Sequence, residues 1–114
     1  MSDMDFAEIS AHQKVATATA AGGTLVDNSD NETKVITQMI FSNNNATDEE
    51  VTIDDGTDDV LVVTVPSHDT IILKGSVDRP VLNIEADKTY TATSTTNNVK
   101  ISYRSISSYI TTLS

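Results

Sequence analysis

The stretch VTIDDGTDDVLVVTVP, Val51 to Pro66, sets two apolar runs on either side of four aspartates packed into six residues. In the first run Val51 and Ile53 share a face. In the second, Leu61, Val63 and Val65 point one way and Val62 and Thr64 the other. A period of two belongs to a β-strand half-buried against a core. Asp55-Gly56 between such runs marks a hairpin turn, because both residues tolerate the positive φ that tight turns need. The cluster Asp54, Asp55, Asp58 and Asp59 therefore reads as a solvated turn. An EF-hand calcium loop needs oxygen ligands at alternate positions before its glycine. Counting back from Gly56, Ile53 and Val51 stand where those ligands belong. Paired catalytic carboxylates need a concave, partly dry site, which a hairpin tip does not supply.

The same period extends outward from this hairpin. KVITQMIFS puts Val35, Thr37, Met39 and Phe41 on one face and Ile36, Gln38 and Ile40 on the other. Apolar residues on both faces predict a strand covered on both sides. TIILKG and RPVLNIEA follow, the second with Leu82 and Ile84 alternating against Asn83 and Glu85. TYTATST aligns Tyr90, Ala92 and Ser94. VKISYRS places Val99, Ile101 and Tyr103 inward; the parity then breaks before Ile106, Tyr109 and Ile110, which predicts a bulge or a short separate strand. The expected core is Phe41, Leu61, Val63, Leu82, Ile84, Val99, Ile101 and Tyr103. Turn signals such as SNNNATDEE, PSHD, KGSVDRP and TTNN separate the runs at intervals of roughly 8–12 residues, the mark of an antiparallel sandwich or barrel. The fold class is all-β, an antiparallel β-sandwich of jelly-roll or immunoglobulin-like topology over residues 24–114.

Residues 1–23 differ. Ser2 and Asp5 form a capping-box-like pair, Phe6 and Ile9 sit at helical spacing, VATATA would serve equally as a strand, and Gly22-Gly23 marks a joint. This segment is expected to be an arm that orders against a partner, with Phe6 and Ile9 as its contact residues.

Composition narrows the function. The chain of 114 residues suits one domain with a modest core. No cysteine is present, so thiolate chemistry and disulfides are excluded. A formal net charge of -10 repels phosphate backbones and anionic membranes, so neither nucleic acid nor membrane is an expected partner. The acidic MSDMDFAEIS start lacks the basic and apolar regions of a signal peptide, which points to synthesis in a cytoplasm. His68-Asp69 is not a catalytic pair, since adjacent residues on a strand face opposite ways and PSHD is itself a turn. His12 has no visible partner, and two histidines without cysteine do not make a zinc site. There is no phosphate loop or dinucleotide fingerprint. The sequons at Asn31 and Asn45 mark surface loops. No catalytic, cofactor-binding or metal-ligating residue is expected, and the chain reads as a non-enzyme.

MIFSNNN, VPSHDTIILKG and VLNIEADKTYTATSTTNNVKISYRSI together resemble a family of small tailed-bacteriophage virion proteins built on a single β-sandwich. The likeness covers about two-thirds of the chain, as a pattern of strands and turns. It implies a capsid decoration (cement) protein on the outer surface of the particle. The implied partner is the major capsid protein or another virion protein, and the implied state is a homo-oligomer, a trimer ahead of a dimer. A small tail or head–tail component, or a fibre or adhesin module binding a host glycan, is the alternative. Sugar-binding faces stack on exposed aromatic rings, and this chain has no Trp. A sheet edge is also expected to be available for pairing with a neighbouring subunit or capsid strand.

Overall fold

The computed structural model describes residues 9–28 and 33–108, with nine strands and no helix among them. The opening hairpin is present as β4 (Glu49–Asp54) and β5 (Asp59–Val65), joined by residues 55–58. Outside it the chain pairs in nested order: β3 (Lys34–Asn43) with β6 (Asp69–Lys74) and the short β7 (Leu82–Ile84), β2 (Gly23–Asn28) with β8 (Lys88–Thr93), and β1 (Ile9–Ala18) with β9 (Val99–Ser108). All these pairs are antiparallel. The chain is thus one long hairpin with its tip at Asp55–Asp58, rolled until β9 also meets β3 and β8 also meets β4. Two sheets result, in the orders β1-β9-β3-β6 and β2-β8-β4-β5, with β7 on the same side of β3 as β6. This is the double Greek key of a jelly roll, which decides between the two expected topologies.

Alternation decides what lies between the sheets. Val51, Ile53, Val63, Val65, Tyr90, Ala92, Val99, Ile101 and Tyr103 point inward as their parity demands. Seven of the eight expected core residues are buried, and Leu61 packs at the margin, half-buried. Tyr103 brings a hydroxyl into the core. It donates to the Leu25 carbonyl at 2.8 Å, tying β9 of one sheet to β2 of the other. Burial raises the pKa of that phenol.

Three expectations need correction. Strand β3 is not covered on both sides. Its pairing with β9 slips between Ile36 and Gln38, so Ile36 faces the core and, beyond the slip, Met39, Phe41 and Asn43 do. An added residue reverses the parity of everything after it, which is why both faces looked apolar. The same slip removes the break expected in β9: that strand runs unbroken opposite β1 to Ser108, and Ile106 faces outward in phase. Tyr109 and Ile110 lie outside the described residues.

The third correction concerns the arm. Residues 9–18 are an edge strand of the sandwich, with Gln13 opposite Arg104 and Ala18 opposite Val99. Ala18 is fully buried in the core. VATATA goes to strand because β9 offers a whole row of backbone partners, which a free helix of weak pattern cannot match. The boundary between β1 and β2 is the tight turn at residues 19–22, where Gly22 takes φ 99° and donates its N–H to the Thr19 carbonyl. Phe6 lies outside the described residues; Ile9 is the first residue of β1, opposite Ser108, and its side chain is outside them too.

Candidate functional site

The two ends of the jelly roll are built differently. At one end, three loops converge: residues 44–48, 66–68 and 94–98. Two buried polar side chains hold them. Asn43, in phase with Met39 and Phe41, turns its amide into the loop bundle. Its Nδ2 donates to the carbonyls of Thr47 at 2.9 Å, Val65 at 3.0 Å and Pro66 at 3.2 Å. Its Oδ1 accepts from the backbone and side chain of Asn45. Asn45 in turn donates to the Asn98 carbonyl at 2.8 Å, so the sequon side chain at this position is an internal staple. Glu49 is 1% exposed. Its carboxylate accepts from the backbone N–H groups of Thr96 and Asn97 at 2.8 and 3.0 Å and from the Thr47 hydroxyl at 3.0 Å. The Thr96 N–H foremost lowers its pKa, so the side chain is an anion held inside the fold.

At the other end sits the aspartate cluster. Only Gly56 takes positive φ, at 98°, so the connection is a four-residue loop and not a two-residue Asp-Gly turn. Asp55 organises it. Its Oδ1 accepts from the N–H groups of Thr57 at 2.9 Å and Asp58 at 2.8 Å, and Lys88 Nζ lies 3.2 Å from Oδ2. These contacts, the Asp58 N–H first, pull its pKa down to about 2. Lys88 also reaches Glu85 at 3.3 Å. Asp58 and Asp59 are exposed and Asp54 half-buried, as expected of a turn, but Asp55 is buried, so the cluster is not solvated throughout. Among the described residues no group of three or more His, Asp or Glu is arranged to hold a metal ion.

His68 takes φ 53° in the turn after Pro66, and its N–H donates to the Asn45 carbonyl. Asp69 Oδ1 accepts from the Thr70 N–H at 2.8 Å, so it caps its own strand and does not orient the imidazole. A hollow lined by Lys14, Asp27, Lys34 and Tyr103 opens where β1, β2 and β9 meet. The Tyr103 hydroxyl there is committed to Leu25, and Asp27 accepts from the Thr89 hydroxyl at 2.9 Å. Asp55, Asp69 and Tyr103 are thus engaged in holding a turn, a strand end and two strands together. Asn43 and Glu49 were missed in sequence, although each keeps the parity of its strand's buried residues.

Several large apolar side chains are also exposed, among them Val15 on β1 and Val77 in the loop between β6 and β7. Val62 is 53% exposed on β5 and Ile72 is 52% exposed on β6. These strands are the edges of their respective sheets on the same side of the sandwich.

No family model and no curated protein matches the sequence. Among solved structures the chain is similar to the Dit protein of phage SPP1, described as a paradigm of the hub adsorption apparatus in phages infecting Gram-positive bacteria. The identity is 12% and the TM-score 0.50, over 82% of this chain and 46% of that one. At that identity the likeness is one of fold, and this chain corresponds to less than half of the other protein.

Proposed function

We propose that the protein is a non-enzymatic structural component of a tailed-phage virion. The observation that carries this reading is the jelly roll shared with a phage hub protein over four-fifths of the chain. The strand-and-turn pattern from MIFSNNN to VKISYRSI supports it independently. The polar groups add to it, since Asn43, Glu49 and Asp55 serve as loop staples and leave a rigid body with an acidic surface. Such a body works by shape and contact.

Two positions in the particle follow from the two lines of support. The fold neighbour belongs to an adsorption apparatus, which favours a small tail or head–tail component. The sequence resemblance favours a decoration protein on the outer surface of the head, docked on the major capsid protein. In either position Phe6 and Ile9 are the proposed contacts. Purified particles, separated into heads and tails and probed with an antibody to this chain, test the proposal. Label on either fraction supports a virion role and selects the position. Absence from both, with binding of the purified protein to host-surface glycan, would replace it with the adhesin reading.

A further inference from the structure

Charge is segregated between the two sheets. Strands β1, β9, β3, β6 and β7 carry five cations, Lys14, Lys34, Lys74, Lys100 and Arg104, against one acid, Asp69. Strands β2, β8, β4 and β5 carry five acids, Asp27, Glu49, Glu50, Asp54 and Asp59, against one cation, Lys88. In a chain of net charge -10 the first sheet is thus an electropositive layer.

Register shows where that charge is presented. On the outer face of the first sheet Val15 stands opposite Ser102, Ser102 opposite Ile40, and Ile40 opposite Ile72. This mostly apolar row crosses β1, β9, β3 and β6, and its two ends are open, Val15 70% and Ile72 52% exposed. The row on one side brings Arg104 and Lys74 together through Gln38, and the row on the other holds Lys100 opposite Ser42. All three cations are exposed, and among the described residues none is paired with a carboxylate. No acid shares this face, because Asp69 has the parity of Ile71 and Leu73, which pack against the core. Single apolar residues on a surface need no explanation, but a row of them across a whole sheet marks a contact surface. An apolar centre within a charged rim is the anatomy of such a surface.

We propose that the outer face of the β1-β9-β3-β6 sheet is the docking surface of this chain, and that its occupant is an acidic protein surface with a small apolar patch of its own. The inference rests on the virion reading, the occupant being another protein of the particle. Charge complementarity selects it. Cations on both sides of the row attract carboxylates and repel a basic surface. A phosphate backbone would meet the same cations but gain nothing from the row between Val15 and Ile72, and the rest of the chain repels it. A second copy has an acidic outer face on its other sheet, with Glu50 and Asp54 in phase, but two chains of charge -10 repel as wholes. Three rows on four strands cover roughly 400 Å² at ordinary strand spacings. That is about half the ~800 Å² each partner gives to a standard interface, so a single contact is weak and sensitive to each of its charges.

Particles purified from phage unable to make this chain, titrated with the full purified chain and recovered by sedimentation, test the proposal. The expected result is saturable binding that weakens as salt rises. Lys100→Glu with Arg104→Glu should weaken it at least tenfold at low salt, and Lys100→Gln with Arg104→Gln by less. Val15→Thr with Ile72→Thr keeps β-branched residues in the strands and should weaken it several-fold. Glu50→Gln and Val62→Thr, on the opposite face, should leave it unchanged. Melting curves identify any variant that does not fold; should the glutamate pair fail, the glutamine pair decides. Binding that none of the first three changes alters, or that Glu50→Gln and Val62→Thr alter equally, overturns the docking face and leaves the virion role standing. Duplex DNA retained by the wild type and released by Lys100→Glu with Arg104→Glu would make the occupant a nucleic acid. Self-association of the chain alone, abolished by the same pair, would make it a second copy; either result overturns the proposal. A chain that neither binds such particles nor occurs in native ones ends this inference and the virion reading together.

Discussion

Replacing Asn43 with alanine should loosen one entire end of the jelly roll. The Nδ2 group has two hydrogens shared among three carbonyls, on Thr47, Val65 and Pro66, and the Oδ1 accepts twice from Asn45. About four neutral hydrogen bonds at ~1 kcal/mol each set an upper limit near 4 kcal/mol. Water can re-satisfy the Asn45 groups, which are only half-buried, so the expected loss is about 2–3 kcal/mol. For a domain of this size each kcal/mol moves Tm by roughly 4 °C, which gives a fall of about 10 °C. Asn43→Asp should be worse at neutral pH, because it turns a carboxylate toward three carbonyl oxygens. That environment raises the introduced group's pKa in the folded state, so its penalty is absent below its unfolded pKa and grows as pH rises through the folded value. Melting curves of both variants from acid to neutral pH, each referred to the wild type, measure this. A loss below half a kcal/mol for Asn43→Ala, or a gap between the two variants that does not narrow in acid, would refute the staple.

The wild type should lose stability in acid in two overlapping steps. Asp55 and Glu49 both have folded pKa values below the ordinary 3.8 and 4.5 of such carboxyls, so their contributions are complete above those values. They fade as pH falls, through about 2 for Asp55. Denaturant midpoints across that range check it, and an unchanged midpoint between pH 5 and 2 would contradict it. Ile36→Ala should cost about 2–5 kcal/mol while Val35→Ala, on the outer face, costs well under half of that by the same unfolding measurement. Equal effects would place the slip in β3 elsewhere. Changing Asp54, Asp58 and Asp59 together to Asn should move stability by roughly half a kcal/mol or less, with no calcium-dependent rise in Tm for the wild type.

Much of the fold was legible because burial between two sheets imposes a period of two, and β5, β8 and β9 carry that period cleanly. The slip at Thr37 was not, since one added residue leaves local composition untouched and only reverses phase. β1 was obscured for a different reason. An edge strand buries little, so its sequence lacks strong alternation, and its identity comes from β9, some ninety residues away. The staples left a fainter trace. Glu49 is in phase with Val51 and Ile53, and Asn43 with Met39 and Phe41. A polar residue on an apolar parity at the end of a strand, next to a loop, was the signal available. The aspartates drew notice by their number, yet only Asp55 organises structure, because its carboxylate alone meets the N–H groups of the turn.

The nested pairing of the strands also dictates when each part of the molecule can form. Strands β4 and β5 need only four intervening residues to meet, and hairpins of that kind close within about 1–10 μs. Each outer pair closes a shorter loop once the one inside it has formed, which favours closure from the Asp55 turn outward. β1 leaves the ribosome first and is paired last, when β9 arrives to place Lys100 against Thr17. Chains dominated by such distant pairings fold in milliseconds to seconds. Throughout synthesis, β1, β2 and β3 are unable to complete either sheet. The thin alternation and three alanines of β1 suit a strand that must remain soluble through that delay.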